Sequence, residues 1–229
     1  MKIIALIPAR SGSKGIPHKN IKLYKNKPLL VHSIDIAKQS KYITDIYVTT
    51  DSAEYAKIAT DNGAIIPCLR PEYISKDLST DDEFIKHYLI WAKDNNNIPD
   101  LIVQLRPTYP NRNINELDNM IVKMINNNEY TSLRTIIPYP KSPYKMYKIN
   151  NDKLIPLFEE VNGLREPYNK CRQQLPDTYL HNGCVDIIRV KSYFEQNSIT
   201  GYNIYAYLMN KSEDNDIDTI DDWVKSERK

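Results

Sequence analysis

The first 137 residues alternate short apolar runs with longer stretches in which apolar residues recur at helical spacing. Residues 3–7 are almost continuously apolar, which is typical of a strand buried on both faces. The same pattern predicts further strands at residues 45–50, 64–67, 101–105 and 132–137. It predicts helices at residues 28–39, 53–61, 80–95 and 115–127. Strands that alternate with helices favour an α/β fold with a doubly wound, mostly parallel sheet.

This alternation stops near Pro138. Residues 139–174 are rich in Pro, Tyr and Lys and contain no long helical pattern. We interpret them as an arm inserted into a single domain of residues 1–229, and as a candidate dimerisation subdomain. Apolar runs at residues 184–190 and 202–208 predict two more strands, and residues 221–227 predict a short helix. A chain of 229 residues is long enough for one sizeable core.

The net charge of +2 argues against attraction to nucleic acid or to a membrane by bulk charge. Any anion site must therefore come from local clustering of basic residues. The three cysteines are far apart and lack the spacing of a zinc site, which favours reduced thiols in a cytoplasmic protein. No apolar run has the length of a signal peptide or a membrane span, so we expect a cytoplasmic protein.

A loop rich in glycine and basic residues follows the first predicted strand. It reads IPARSGSKGIPHKN over residues 7–20, and ligands of parallel sheets bind at such carboxyl ends. We expect Gly12 and Gly15 to adopt positive φ and to let the backbone approach a ligand. With the charges of Arg10, Lys14 and Lys19, the loop suits a triphosphate or pyrophosphate. The dinucleotide and Walker patterns are absent, and a flexible surface loop is the alternative interpretation.

Five strings along the chain form a recognisable set: LIPARSGSKGIPHKNIK at 6–22, VTTDS at 48–52, RPTYPNR at 106–112, RQQLPDTYLHNGCVDI at 172–187 and DIDTIDDW at 216–223. Together they resemble the acylneuraminate cytidylyltransferase (CMP-sialic acid synthetase-like) family. The resemblance covers essentially the whole chain. It implies a Rossmann-like nucleotidyltransferase that moves CMP from CTP to an acidic acceptor and releases pyrophosphate, for a cell-surface glycan or capsule precursor. From the residues alone, UTP or GTP remains open as the nucleotide.

The resemblance also implies which residues bind the nucleotide. Arg10, Lys19 and Asp218 are the expected catalytic residues. The expected nucleotide-binding residues are Ala9, Arg10, Ser11, Gly12, Ser13, Lys14, Asn20, Arg70 and Ser79. Asp216 and Asp218 lie two apart in an extended segment, so both carboxylates can reach one Mg²⁺ ion. A solvated acidic loop that includes Glu213 and Asp214 is the alternative interpretation.

The acceptor is the least determined part of the prediction. Residues expected around it are Arg106, Thr108, Tyr109, Lys145, Arg172, Tyr179 and Asn182. Family members usually read Q-P-T-S-P where this chain has Arg106-Pro107-Thr108-Tyr109-Pro110. Because arginine binds phosphate with two parallel hydrogen bonds, we expect a small phosphorylated molecule or phosphonate, similar to phosphoglutamine.

Three alternatives remain open. The acceptor is a nonulosonic acid (sialic, legionaminic or pseudaminic acid), Arg106 pairs with a nearby acid such as Asp186, or the chain is a non-catalytic nucleotide-binding module. The irregular arm favours a homodimer as the assembly.

Overall fold

The computed structural model describes residues 1–210 and 215–228. The elements of the first half are β1 (Ile3–Pro8), β2 (Leu23–Tyr24), β3 (Lys27–Pro28), α1 (Leu29–Gln39), β4 (Asp45–Thr49), α2 (Ala53–Asp61), α3 (Asp81–Asp94), β5 (Leu101–Gln104) and α4 (Ile114–Asn126). Those of the second half are β6 (Ser132–Pro138), β7 (Tyr147–Asn150), β8 (Lys153–Pro156), β9 (Glu160–Val161), β10 (Leu164–Arg165), β11 (Tyr179–Arg189), α5 (Val190–Gln196), β12 (Ile204–Leu208) and α6 (Ile220–Glu227).

Within the described residues, a six-stranded sheet has the order β12-β6-β11-β5-β1-β4. β1 runs parallel to β4 and β5, and β12 runs parallel to β6. β11 is antiparallel to both of its neighbours, β5 and β6. The prediction of a mostly parallel α/β sheet is confirmed, with one reversed strand that the apolar pattern does not reveal.

Strand β1 is buried on both faces of the sheet, as its continuous apolar run predicts. Ile3, Ala5 and Ile7 pack in a cluster with residues of α1, α2 and α4. Ile4 and Leu6 face the other way, into a cluster with residues of α3. Successive side chains of a strand point to opposite faces, so both faces of β1 are covered by helices. This arrangement fixes the carboxyl end of β1, where the basic loop begins.

Two of the predicted elements differ in the structure. Residues 64–67 are not a strand, and only Ile65 forms a bridge, with Tyr47. Pro67 follows two residues later and has no N–H to donate, so the ladder cannot continue there. The strand predicted at 184–190 is the second half of β11, which begins at Tyr179, and Val190 starts the helix α5, which the pattern analysis missed.

The predicted arm leaves the sheet at the end of β6 and returns at the start of β11. Pro138 and Tyr179 pair in the sheet, and the Tyr139 N–H donates to the Thr178 carbonyl at 2.9 Å, which closes the base of the arm. The arm contains the hairpins β7–β8 and β9–β10. Its role in dimerisation stays a prediction. Across residues 1–210 and 215–228, no helix combines the length and apolar character needed to cross a membrane.

Candidate active site

A cleft of about 410 Å³ opens at the carboxyl ends of β1 and β5. It lies where ligands of parallel sheets bind. The structure brings the following predicted residues to its walls: Arg10, Ser13, Lys14, Lys19, Asn20, Arg70, Ser79, Arg106, Thr108 and Asp218. Asp77, Asp81 and Phe84 also line it and were not predicted. The cleft therefore combines basic side chains from one loop with carboxylates from distant parts of the chain.

Asp51, just beyond β4, holds the shape of the basic loop. The backbone N–H and the hydroxyl of Ser11 donate to its two carboxylate oxygens at 2.8 and 2.6 Å. The buried Asn20 amide donates to the Arg10 carbonyl at 2.9 Å and ties the two ends of the loop together. Ser11 is thus a structural anchor outside the lining of the cleft, and Ala9 is buried beneath it. Sequence reasoning missed Asp51, although its place after a parallel strand was an available signal.

Glycine is required at position 15 because another part of the chain lies too close for a side chain, and not because the residue has a positive φ. The positive-φ glycines are elsewhere, so the expectation for Gly12 and Gly15 was wrong. A Cβ atom placed on Gly15 would lie 2.5 Å from the backbone oxygen of Asp218, whereas one on Gly12 would meet no atom within 4 Å. Real Cβ atoms essentially never come within 3.0 Å of another heavy atom. Gly15 therefore lets the basic loop pack directly against the segment that carries Asp218.

The segment around Asp218 is held against the basic loop and against Thr108. The N–H of the buried Ile217 donates to the Thr108 carbonyl at 3.0 Å, and its carbonyl accepts from Lys19 Nζ at 2.8 Å. Lys19 Nζ also pairs with the Asp218 carboxylate at 3.0 Å. Ile217 packs in a buried cluster with Ile16, Tyr24, Leu29 and Trp223. These contacts leave the Asp218 side chain 69% exposed at the cleft.

Of the two predicted metal ligands, Asp218 lines the cleft and Asp216 does not. Asp216 is half-buried. Glu213 and Asp214, of the alternative acidic loop, lie outside the described residues. In the part of the chain that the structure describes, no three His, Cys, Asp or Glu side chains form a metal cluster. Mg²⁺ is commonly held by one or two carboxylates together with substrate phosphates, so Asp218 alone is compatible with a site that a bound triphosphate completes.

Asp77 pairs with two of the loop cations. Its carboxylate lies 3.1 Å from Arg10 Nη1 and 2.5 Å from Lys14 Nζ. The hydrogen bond from Lys14 holds the pKa of Asp77 below its ordinary value. Asp77 therefore carries its negative charge throughout the neutral range. The motif analysis did not single it out, because nothing local to residue 77 indicates that Arg10 and Lys14 are close.

Arg70 forms part of the buried floor of the cleft. Its guanidinium donates to the Thr49 carbonyl at 2.8 Å and to the Thr49 hydroxyl at 3.2 Å. It also lies 5.0 Å from the ring of Phe84. Burial lowers the pKa of Arg70 to about 10, so the side chain remains charged at neutral pH. Ser79 stands nearby on the cleft wall, and its hydroxyl accepts from the Lys76 N–H at 2.9 Å.

Arg106 is held by protein carboxylates. Its Nη1 donates to Asp186 at 2.9 Å and to the Gly183 carbonyl at 3.0 Å, and its Nη2 donates to Asp81. Burial alone would lower the pKa of Arg106, but the charges of Asp186 and Asp81 outweigh it and raise that pKa. The pairing that the sequence left open as an alternative is thus present. The guanidinium fork is not available for a bidentate phosphate without the loss of these pairs.

The other predicted acceptor residues lie outside this cleft. Tyr109 is buried, with the Arg112 guanidinium 5.9 Å from its ring. Asn182 is also buried, and its side-chain oxygen accepts from the Thr135 hydroxyl at 2.7 Å. Arg172 and Tyr179 line a separate cavity of about 390 Å³ at the base of the arm, and Lys145 is exposed on the arm. Within one chain, these five residues and the basic loop do not form one site.

Comparison with known proteins identifies the family to which the chain belongs. The model of a family described as "Cytidylyltransferase" matches residues 4–156. The chain belongs to the cytidylyltransferase family. A relative in Legionella pneumophila, named CMP-N,N'-diacetyllegionaminic acid synthase, is 31% identical over 230 residues, which is 100% of this chain and 96% of the relative. This end-to-end match confirms the family that the sequence motifs indicate.

The Escherichia coli N-acylneuraminate cytidylyltransferase is 33% identical over 95% of this cytidylyltransferase chain and 49% of its own length. The chain thus spans about half the length of the curated N-acylneuraminate relatives it matches. A solved CMP:2-keto-3-deoxy-manno-octonic acid synthetase in complex with CTP superposes with a TM-score of 0.70 over 100% of this chain and 98% of the other, at 14% identity. At that identity, the likeness shows the fold alone.

Proposed function

We propose that the chain transfers CMP from CTP to a nonulosonic acid and releases pyrophosphate, as a step toward a cell-surface glycan. The observation that carries the proposal is the convergence of Arg10, Lys14 and Lys19 with Asp218 on one cleft at the carboxyl end of β1. The names of relatives matched over most of both lengths support the acceptor class. Besides the legionaminic acid synthase, a Campylobacter jejuni pseudaminic acid cytidylyltransferase is 28% identical over 97% of this chain and 93% of its own length.

The reaction needs positioning and charge stabilisation more than covalent help. An acceptor hydroxyl oxygen bonds to the α-phosphorus, the bond from that phosphorus to the oxygen bridging to the β-phosphate breaks, and the hydroxyl proton passes to solvent water. The negative charge that develops on the departing pyrophosphate is stabilised by Arg10, Lys14 and Lys19. Asp218 is the residue that would hold Mg²⁺, and a bound Mg²⁺ would neutralise phosphate charge. Lys19 keeps the Asp218 carboxylate in place through the pair at 3.0 Å.

The nucleoside end of CTP fits the buried side of the cleft. Arg70, Asn20 and Ser79 provide a charged group, an amide and a hydroxyl there. Arg70 and Asn20 are buried and hydrogen-bonded to backbone carbonyls, so their orientation is set before a ligand binds. Such preorganisation reduces the entropy lost on binding.

A phosphorylated acceptor finds no support. That expectation rested on a free guanidinium fork at Arg106, and Asp81 and Asp186 already hold its two terminal nitrogens. A nonulosonic acid does not need a second phosphate site, since it carries a single carboxylate.

We also propose a homodimer formed through the arm. Large apolar side chains on the arm hairpin are exposed, with Ile149 at 78% and Leu154 at 62%. Burial of such side chains against a second copy would be favourable. In a dimer, Lys145, Arg172 and Tyr179 could contribute to the partner's acceptor site, which would explain why they lie apart from the cleft of their own chain.

Pyrophosphate release in the presence of Mg²⁺ tests the proposed reaction. Each of CTP, UTP, GTP and ATP is offered with sialic, legionaminic or pseudaminic acid, and in parallel with phosphoglutamine and a simple phosphonate. We expect release with CTP and at least one nonulosonic acid, and loss of that release in Arg10→Ala. Release with phosphoglutamine but with no nonulosonic acid would refute the proposed acceptor class. Nucleotide binding without release under any condition would favour a non-catalytic binding module.

A further inference from the structure

The Asp77 carboxylate pairs with Arg10 and Lys14 of the basic loop in the way that a phosphate group would. One carboxylate oxygen lies 3.1 Å from Arg10 Nη1 and the other lies 2.5 Å from Lys14 Nζ. Two oxygens shared between two cations is the charge-assisted arrangement that a phosphate group takes with the same residues. Arg10 and Lys14 cannot form all of their ion pairs with Asp77 and with a polyphosphate at the same time.

The segment that carries Asp77 is attached at its base but is not packed at its tip. Ser75 and Ile74 are buried, and the Ser75 hydroxyl donates to the Pro71 carbonyl at 2.9 Å. Beyond them, Leu78 is 94% exposed, although it is a large apolar side chain next to Asp77. The Lys76 N–H and the Ser79 hydroxyl close a local turn at 2.9 Å. Charge pairing, and not apolar burial, therefore holds Asp77 over the loop cations.

We propose that Asp77 competes with polyphosphate for Arg10 and Lys14. The inference rests on the proposed function, in which these cations bind the phosphates of CTP. A polyphosphate must displace Asp77 in order to bind, and Asp77 replaces the pyrophosphate that leaves. The carboxylate thereby weakens the binding of pyrophosphate, an anion that must pair with the same two cations, and promotes its release.

Both pairs are partly exposed to solvent, since the side chains of Arg10, Lys14 and Asp77 are 31%, 79% and 38% exposed. Exposed ion pairs are individually weak. The expected gain in pyrophosphate affinity when Asp77 loses its charge is therefore about three- to tenfold. The gain should depend on Lys14, because removal of one partner of a coupled pair removes the coupling.

Isothermal titration calorimetry of the full chain with pyrophosphate at fixed MgCl₂ tests the inference. The chains compared are the wild type, Asp77→Asn, Lys14→Ala, the double variant, and Glu72→Gln. Glu72 is a matched control, because it is an exposed acid near Asp77 on the same stretch of chain. We expect Asp77→Asn to bind pyrophosphate about three- to tenfold more tightly than the wild type. We expect Glu72→Gln to stay within about twofold, and the gain from Asp77→Asn to shrink in the Lys14→Ala background.

Unchanged or weaker binding by Asp77→Asn would overturn the inference, as would an equal gain in Glu72→Gln, which would indicate a general charge effect. If the wild type binds pyrophosphate and Asp77→Asn binds it equally well, this inference alone fails. If none of the chains binds pyrophosphate, the proposed function fails and the inference fails with it. Binding that appears only when Asp77 is neutralised would support the inference.

Discussion

Replacement of Gly15 by alanine adds only one methyl group, but we expect it to reduce turnover strongly. The new Cβ would lie 2.5 Å from the Asp218 backbone oxygen, about 0.9 Å short of the 3.4 Å at which ordinary contact begins. That oxygen cannot move away freely. The preceding residue, Ile217, is fully buried and hydrogen-bonded through both its N–H and its carbonyl. The following residue, Thr219, caps α6.

The clash must therefore be relieved by displacement of the basic loop, of Asp218, or of both, by a total of nearly 1 Å. A misplacement of about 1 Å costs on the order of a hundredfold in rate when catalysis depends on positioning. Overpacking of this kind also costs about 1–3 kcal/mol of stability, which the protein can tolerate while it remains folded. We expect a loss of turnover of about a hundredfold with a modest decrease in Tm.

The assay is steady-state pyrophosphate release at saturating CTP, with circular dichroism to confirm the fold. Gly12→Ala is the matched control in the same loop. Gly12 was an expected nucleotide-binding residue, but it does not line the cleft. The Cβ of the Gly12→Ala variant would meet no atom within 4 Å and no backbone N–H is lost, so the decrease in turnover should stay below about threefold. Wild-type turnover in Gly15→Ala, or equal losses in the two variants, would refute the claim that this close approach positions Asp218.

Three further predictions concern charge and assembly. Arg10→Ala and Asp218→Asn should each reduce turnover at least about a hundredfold, and near-normal pyrophosphate release in both would remove the site assignment. Asp186→Asn should lower Tm by roughly 6–10 °C at neutral pH, since it breaks a largely buried ion pair. Burial would raise the pKa of Asp186, but its hydrogen bond from His181 and the charge of Arg106 outweigh burial and lower it below 3.8. The stabilisation is therefore present above pH 3.8 and lost as the pH falls further, so the difference in Tm should shrink in acid and a constant difference would contradict the assignment. Ile149→Asp should give a monomer by light scattering, whereas Leu23→Asp, at a 63% exposed apolar position outside the arm, should not.

The local pattern of apolar and polar residues was enough to predict the helices and strands that depend on burial and intrinsic propensity. The apolar run at residues 3–7 corresponds to β1, and the predicted helices at 53–61 and 80–95 correspond closely to α2 and α3. Helix α2 ends at Asp61, as predicted, and Gly63 follows with φ +80°. The basic loop also led to the correct family. Its residues are close in sequence, so their combined chemistry can be inferred without knowing which other residues they contact. The strand predicted at residues 64–67 was wrong because Pro67 has no N–H with which to extend the ladder beyond the bridge between Ile65 and Tyr47.

Tertiary structure decided which of these groups face one another. Arg106 and Asp186 are 80 residues apart in sequence, and they meet because β11 runs antiparallel beside β5. The role of Gly15 depends on Asp218, which the final segment of the described chain brings against the loop. An arginine such as Arg106 looks the same in the sequence whether it is free to bind a ligand or already paired with a protein carboxylate. Only the packing of strands and loops determines which charges are neutralised internally, since the energy of an ion pair depends on distance and burial that local sequence does not encode.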